Sequence, residues 1–191
     1  GGIDIGSNAL TFEVDGGATS TISTSGITGV GGSIVKASTG TLNLNVASTY
    51  SGGTEITGGI ISVANSATAL GGGDVTFNGG RRLAVAAGLN VANNIIIGSN
   101  TGEIGKGMLE SSGTGTATLS GDITINAGAA AGGIFASSSG NDLVVSGLIT
   151  ASVPVTQRTG TVTLSGGGTG YSAFTNNEGI TKVGALNGIA T

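Results

Sequence analysis

Hydrophobic and polar residues alternate in short runs along nearly the whole chain. Leu10-Thr11-Phe12-Glu13-Val14, Leu42-Asn43-Leu44-Asn45-Val46, Val75-Thr76-Phe77, Ile123-Thr124-Ile125 and Val162-Thr163-Leu164 all keep a period of two. That period sends successive side chains to opposite faces of a strand, one toward a core and one toward solvent. The aliphatic, β-branched and aromatic residues in these runs suit strands. Between them stand Asp15-Gly16-Gly17, Gly31-Gly32, Gly52-Gly53, Gly58-Gly59, Gly71-Gly72-Gly73, Asn78-Gly79-Gly80 and Gly166-Gly167-Gly168. Such clusters mark corners, where a positive φ favours glycine. The alanines at 129–131 are hemmed in by Gly128, Gly132 and Gly133, so no segment promises a helix. An all-β chain is predicted.

Strands at this spacing suit a sandwich, a barrel or a solenoid, and internal repetition favours the last. Thr39-Gly40-Thr41-Leu42-Asn43-Leu44, followed by Tyr50-Ser51-Gly52-Gly53, has a counterpart in Thr159-Gly160-Thr161-Val162-Thr163-Leu164, followed by Tyr171-Ser172. The offsets are 161 − 41 = 120 and 171 − 50 = 121 residues, and the copies lie near 22–85 and 144–188. The expectation is one β-helix segment over 1–191, with roughly 20–25 residues per rung and about eight or nine rungs. Stacked at ~4.8 Å these would make a rod of ~40 Å. Phe12, Phe77, Phe135 and Phe174 are scattered singly, as fillers of a slender core. A pair of immunoglobulin-like sandwiches is the all-β alternative and requires antiparallel strands.

Composition sharpens this picture. Of 191 residues 40 are glycine and only 8% are charged, yet 38% are hydrophobic, so the chain must fold to hide its apolar side chains. The net charge is −4 with six Lys and Arg in total, which gives no cationic patch for nucleic acid. Arg81-Arg82 is the one basic doublet, expected at a solvated edge or turn. Cysteine and histidine are absent, so disulfides, thiolate or imidazole metal sites and Ser-His-Asp chemistry cannot be built. Any export signal is expected outside Gly1-Gly2-Ile3-Asp4. Runs such as Ile95-Ile96-Ile97 are far too short to span a bilayer, so no membrane insertion is expected of this segment.

The ordered string Gly40-Thr41-Leu42-Asn43-Leu44, Thr49-Tyr50-Ser51-Gly52-Gly53-Thr54, Gly58-Gly59-Ile60-Ile61-Ser62-Val63, Ala69-Leu70-Gly71 and Val75-Thr76-Phe77-Asn78-Gly79-Gly80 resembles the autotransporter passenger-associated strand repeat. The resemblance covers about residues 33–85 well and about 144–188 in part. In the later copy Tyr171-Ser172-Ala173-Phe174 replaces the Tyr-Ser-Gly-Gly corner. The resemblance implies a right-handed parallel β-helix exported to the bacterial surface, in which the repeat is a stalk element. Fold alone does not assign function.

Carboxylate chemistry is the alternative to a structural role. Asp122 and Asp142 lie 20 residues apart, close to one rung, where stacking would make a pair able to cut or hold acidic polysaccharide. The plainer reading makes both solvated turn aspartates, because each stands between a Gly/Ser turn and a strand and no Lys or Arg is in register. Gly71-Gly72-Gly73-Asp74 is a lone fragment of a calcium-binding repeat, and Asp74 is read as a strand-entry residue. Tyr50 and Tyr171 occupy equivalent repeat corners, which favours structure over stacking on sugars. No catalytic residue, metal or cofactor is expected, and the chain is not expected to be an enzyme. The expected function is a structural or adhesive β-solenoid element of an extracellular or bacterial cell-surface protein, forming a stalk, fibre or matrix. Its expected partner is itself, end to end or laterally, with host or matrix carbohydrate as a second partner. Ile180-Thr181-Lys182-Val183 and Ala185-Leu186 look like the start of another unit, so a longer solenoid or a stacking filament is expected.

Overall fold

The computed structural model describes residues 2–79, 82–100, 108–129, 134–137, 141–169 and 173–184. Among these residues every regular element is a β-strand, and every strand pairing is parallel. The chain coils as a β-solenoid, visiting its faces in turn. A first face stacks eight strands from Ala9–Glu13 through Ser33–Ala37, Thr54–Ile56 and Val75–Asn78 to Gly168–Thr169. A second stacks eight from Thr19–Ile22 to Phe174–Asn176, and a third stacks five from Asn90–Val91 to Ile180–Val183. Parallel pairing leaves no room for antiparallel sandwiches.

The register fixes the pitch. From Leu10 to Gly168 the first face advances seven steps in 168 − 10 = 158 residues, about 23 per turn. Individual turns are uneven: Thr54 to Val75 takes 21 residues, Ile95 to Ile123 takes 28 and Ile149 to Gly168 takes 19. Eight strands on each of two faces agree with the expected rung count.

Period-two alternation becomes columns. On the first face Phe12, Lys36, Ile56, Phe77, Ile97, Ile125 and Ala151 stack inward, one per turn. On the second, Leu42, Ile61, Leu83, Leu109 and Phe135 do the same, all fully buried. On the third, Leu119, Val145 and Leu164 close the core. Each fully buried Leu, Ile, Val or Phe of these columns gains about 1.5–3 kcal/mol from leaving water. Corners pack at backbone contact: a Cβ on Gly121, Gly147 or Gly166 would strike a backbone oxygen of the turn beneath. Stacking at this distance excludes any side chain, which accounts for glycine at these corners without invoking φ.

The two sequence copies do not fall on the same face. Thr41 stacks between Thr19 and Ile60 on the second face, whereas Thr161 stacks between Asp142 and Ile180 on the third. An offset of 120 residues at about 23 per turn is about five and a third turns, which rotates the later copy by one face.

Candidate functional site

The most elaborate polar construction is the corner carrying Tyr50. Between the second-face strand Thr41–Leu44 and the first-face strand Thr54–Ile56, the chain crosses the third side without a regular strand. Tyr50 fills that side and is completely buried, packed with Ile5, Ile27 and Ile34. Its hydroxyl lies 2.6 Å from Thr54 Oγ1, and Thr54 Oγ1 donates to the Leu70 carbonyl at 3.2 Å. A threonine hydroxyl has one hydrogen, so Tyr50 is the donor in the first bond. Burial pushes the Tyr50 phenol up to about 12, against a smaller downward pull from the Thr54 hydroxyl. Above the ring sits Gly71 at φ +67°, where a Cβ would come within 2.8 Å of two ring carbons and closer still to the Tyr50 carbonyl. Tyr50 is thus a corner post, and it has no face open to a sugar. Tyr171 lies outside the described residues.

Lys36 is the feature that the sequence reading did not single out. It occupies an inward position, in one column with Phe12 and Ile56, and is completely buried. Its ammonium donates to the carbonyls of Ala37, Ser38 (2.9 Å) and Gly58 (3.4 Å), the last on the next turn. Ser38, at φ +59°, turns its carbonyl into this cage. Burial pushes the Lys36 ammonium below its usual range. The signal was available: in Ile34-Val35-Lys36 the alternation puts the lysine on the isoleucine's side.

A third polar construction runs up the outside at the entry to the first face. Asn94 Nδ2 donates to Asp74 Oδ1 at 3.3 Å, the Asp122 N–H donates to Asn94 Oδ1 at 3.1 Å, and the Leu148 N–H donates to Asp122 Oδ1 at 2.9 Å. The neighbouring Asn93 Nδ2 holds the carbonyls of Gly71 (3.0 Å) and Gly73 (2.7 Å). Asp74 therefore stands where a strand-entry residue was expected, satisfying a neighbour.

The coil does not bring Asp122 and Asp142 together. Asp142 lies on the outer side of the third face between Thr116 and Thr161, while Asp122 caps the entry to the first. Turns here are 26 residues long, Ile123 to Ile149, so a 20-residue spacing falls short of a rung. The stacked pair weighed as the alternative to solvated aspartates is not formed. Arg82 also departs from expectation. It is not a solvated turn residue: its side chain is 13% exposed and pairs with Glu110 on the next turn at 2.6 Å. Arg81 lies outside the described residues.

The molecule is a parallel β-solenoid in which the inward polar groups of Lys36 and Thr54 close on its own corners. The family model of the passenger-associated-transport-repeat matches residues 34–63. That stretch is one turn and a half of the coil, from the strand Ser33–Ala37 to the strand Ile60–Val63, and it contains both Lys36 and Tyr50. The repeat that the sequence resembles is therefore present, and with the solenoid it fits the β-helix of a passenger domain. No curated protein and no solved structure matches the chain.

Proposed function

We propose that this chain is a structural, adhesive element of a secreted or surface-displayed passenger, a rod that holds its shape by rung stacking and associates with further copies of itself. The observation that supports this most is the fate of the inward polar groups. Lys36, Thr54 and Gln157 each spend their hydrogen bonds on backbone or side chains at a corner, which is what a scaffold requires. The reading gives the chain no catalytic role.

Self-association draws on the last turn. Phe174–Asn176 and Ile180–Val183 are edge strands among the described residues. Val183 continues the inward column of Leu164 but is 41% exposed, and Ile180 is 59% exposed. Edge strands carrying exposed apolar side chains are surfaces on which a further strand, of this chain or of another copy, can pair. Small-angle scattering and sedimentation over a concentration series test this: elongated particles should lengthen by whole rods, and Val183→Glu should shorten them. A strictly monomeric particle at high concentration would remove end-to-end association from the reading.

A further inference from the structure

We propose that the outer surface of the first face carries a binding site for an uncharged carbohydrate chain, independent of the stalk role. A groove of about 590 Å3 crosses three successive turns there, within the range of about 300–1,000 Å3 common for ligand sites. Ser33 and Val35 contribute from one turn, Glu55 from the next, and Asp74, Thr76 and Asn78 from the third. The notch arises from one missing side chain. By register Gly53 stands between Ser33 and Asp74, and at φ +94° it resists replacement by any residue with a Cβ. The next outward column, Val35, Glu55 and Thr76, forms the far wall.

The groove's chemistry selects the ligand class. Asn78 Nδ2 holds Glu55 Oε1 at 2.7 Å, and Asn94 Nδ2 holds Asp74 Oδ1 at 3.3 Å. Both carboxylates are thereby oriented, and each keeps lone pairs for further donors. Hydroxyls from Ser33 and Thr76 add groups that both donate and accept. Turns stacked about 4.7–4.9 Å apart space these different polar groups along the rod axis, which suits a polymer bearing hydroxyls on every unit and a C–H face to rest on Val35. No Lys or Arg lines the groove, so an anionic polysaccharide would meet two carboxylates with no counter-charge. An acidic polysaccharide of the kind considered for Asp122 and Asp142 is thereby excluded. The carboxylates, each already held by an asparagine, act as acceptors for sugar hydroxyls, and a cationic ligand is the competing occupant that the lysine-rich peptide tests.

The test titrates the isotope-labelled 191-residue protein, observed by amide NMR, with cellohexaose and chitohexaose. A galacturonate oligomer and a lysine-rich peptide serve as charged counter-probes. At least one neutral probe should give saturable shifts confined to the groove. Thr76→Arg, which fills the groove from an outward position, should weaken that binding at least tenfold with an unchanged melting curve. Glu55→Gln should weaken it with even less change in shape. The proposal is overturned if neither neutral probe gives saturable groove shifts, if a charged probe binds there as well as the neutral ones, or if Thr76→Arg binds like the parent.

Discussion

Replacing Tyr50 by phenylalanine should invert its effect on stability between neutral and alkaline pH. At neutral pH the substitution removes the 2.6 Å bond to Thr54, while Thr54 keeps its bond to the Leu70 carbonyl. Losing one such bond costs about 0.5–1.5 kcal/mol. In the unfolded chain the phenol ionises near its model value of 10.0, but in the fold only near about 12. Between those values the native state holds a proton that the unfolded state has released, so stability falls as pH rises. The fall begins near pH 10.0 and is complete above about 12. The total loss is about 2.7 kcal/mol for two units, with about 1.4 kcal/mol gone by about pH 11. Phenylalanine has no proton to lose, so the two proteins should cross in stability near about pH 11.

Lys36 acts with the opposite sign. Its pKa is lowered by burial, so between its folded value and 10.5 the native state holds fewer protons and stability rises with pH. Both proteins carry Lys36, so it cancels in their difference. The assay is urea unfolding followed by far-ultraviolet circular dichroism at stepped pH. It is paired with tyrosinate absorbance, which is clean because the chain has two tyrosines and no tryptophan. Parallel stability curves, or both tyrosines ionising together near pH 10, would refute the assignment of Tyr50 as a buried donor.

Gly71→Ala should destabilise by about 2–4 kcal/mol, since its Cβ meets the Tyr50 ring at a positive φ; a thermal melt reads this, and a neutral result would displace Tyr50 from under that corner. Lys36→Met should cost about 1–3 kcal/mol at neutral pH by leaving the Ala37 and Ser38 carbonyls without the ammonium. The gap should widen as pH approaches 10.5, and a more stable variant would show that desolvation outweighs the cage. Asp122→Ala should cost about 1 kcal/mol through the Leu148 N–H, and Asp142→Ala less than about 0.5 kcal/mol. A double-mutant cycle should give a coupling energy near zero, because the two lie on different faces.

Fold class was legible because period-two alternation and glycine corners act locally. Leu42 and Leu44, like Val162 and Leu164, face inward and Asn43 and Thr163 outward, as their alternation predicts. Two things were not legible. Which turns sit over which depends on corner lengths, and these vary from turn to turn by up to nine residues, 28 against 19. A pair such as Asp122 and Asp142 therefore cannot be placed from spacing alone. Nor could the fate of polar residues at inward positions be read in full, since Lys36 and Thr54 complete their bonding on segments 22 and 16 residues distant. The groove was invisible for the same reason: it needs Ser33, Gly53 and Asp74 in one column.

The rotation of the later sequence copy by one face says what kind of unit repeats. A repeat tied to whole turns would return Thr161 to the face of Thr41, and it does not. The repeating unit is therefore strand, corner, strand, which any two successive faces can accept as long as their inward columns are equally aliphatic. Both copies show how such a corner is secured. Lys36 reaches the Ser38 carbonyl at 2.9 Å and the next turn's Gly58 carbonyl at 3.4 Å. Gln157 reaches the Gly160 carbonyl at 2.9 Å and the next turn's Ile180 carbonyl at 3.1 Å. One is cationic and the other neutral, so charge is not what the position demands. The position demands a long inward donor that ties its own corner to the turn above, and that requirement is independent of the face on which it falls.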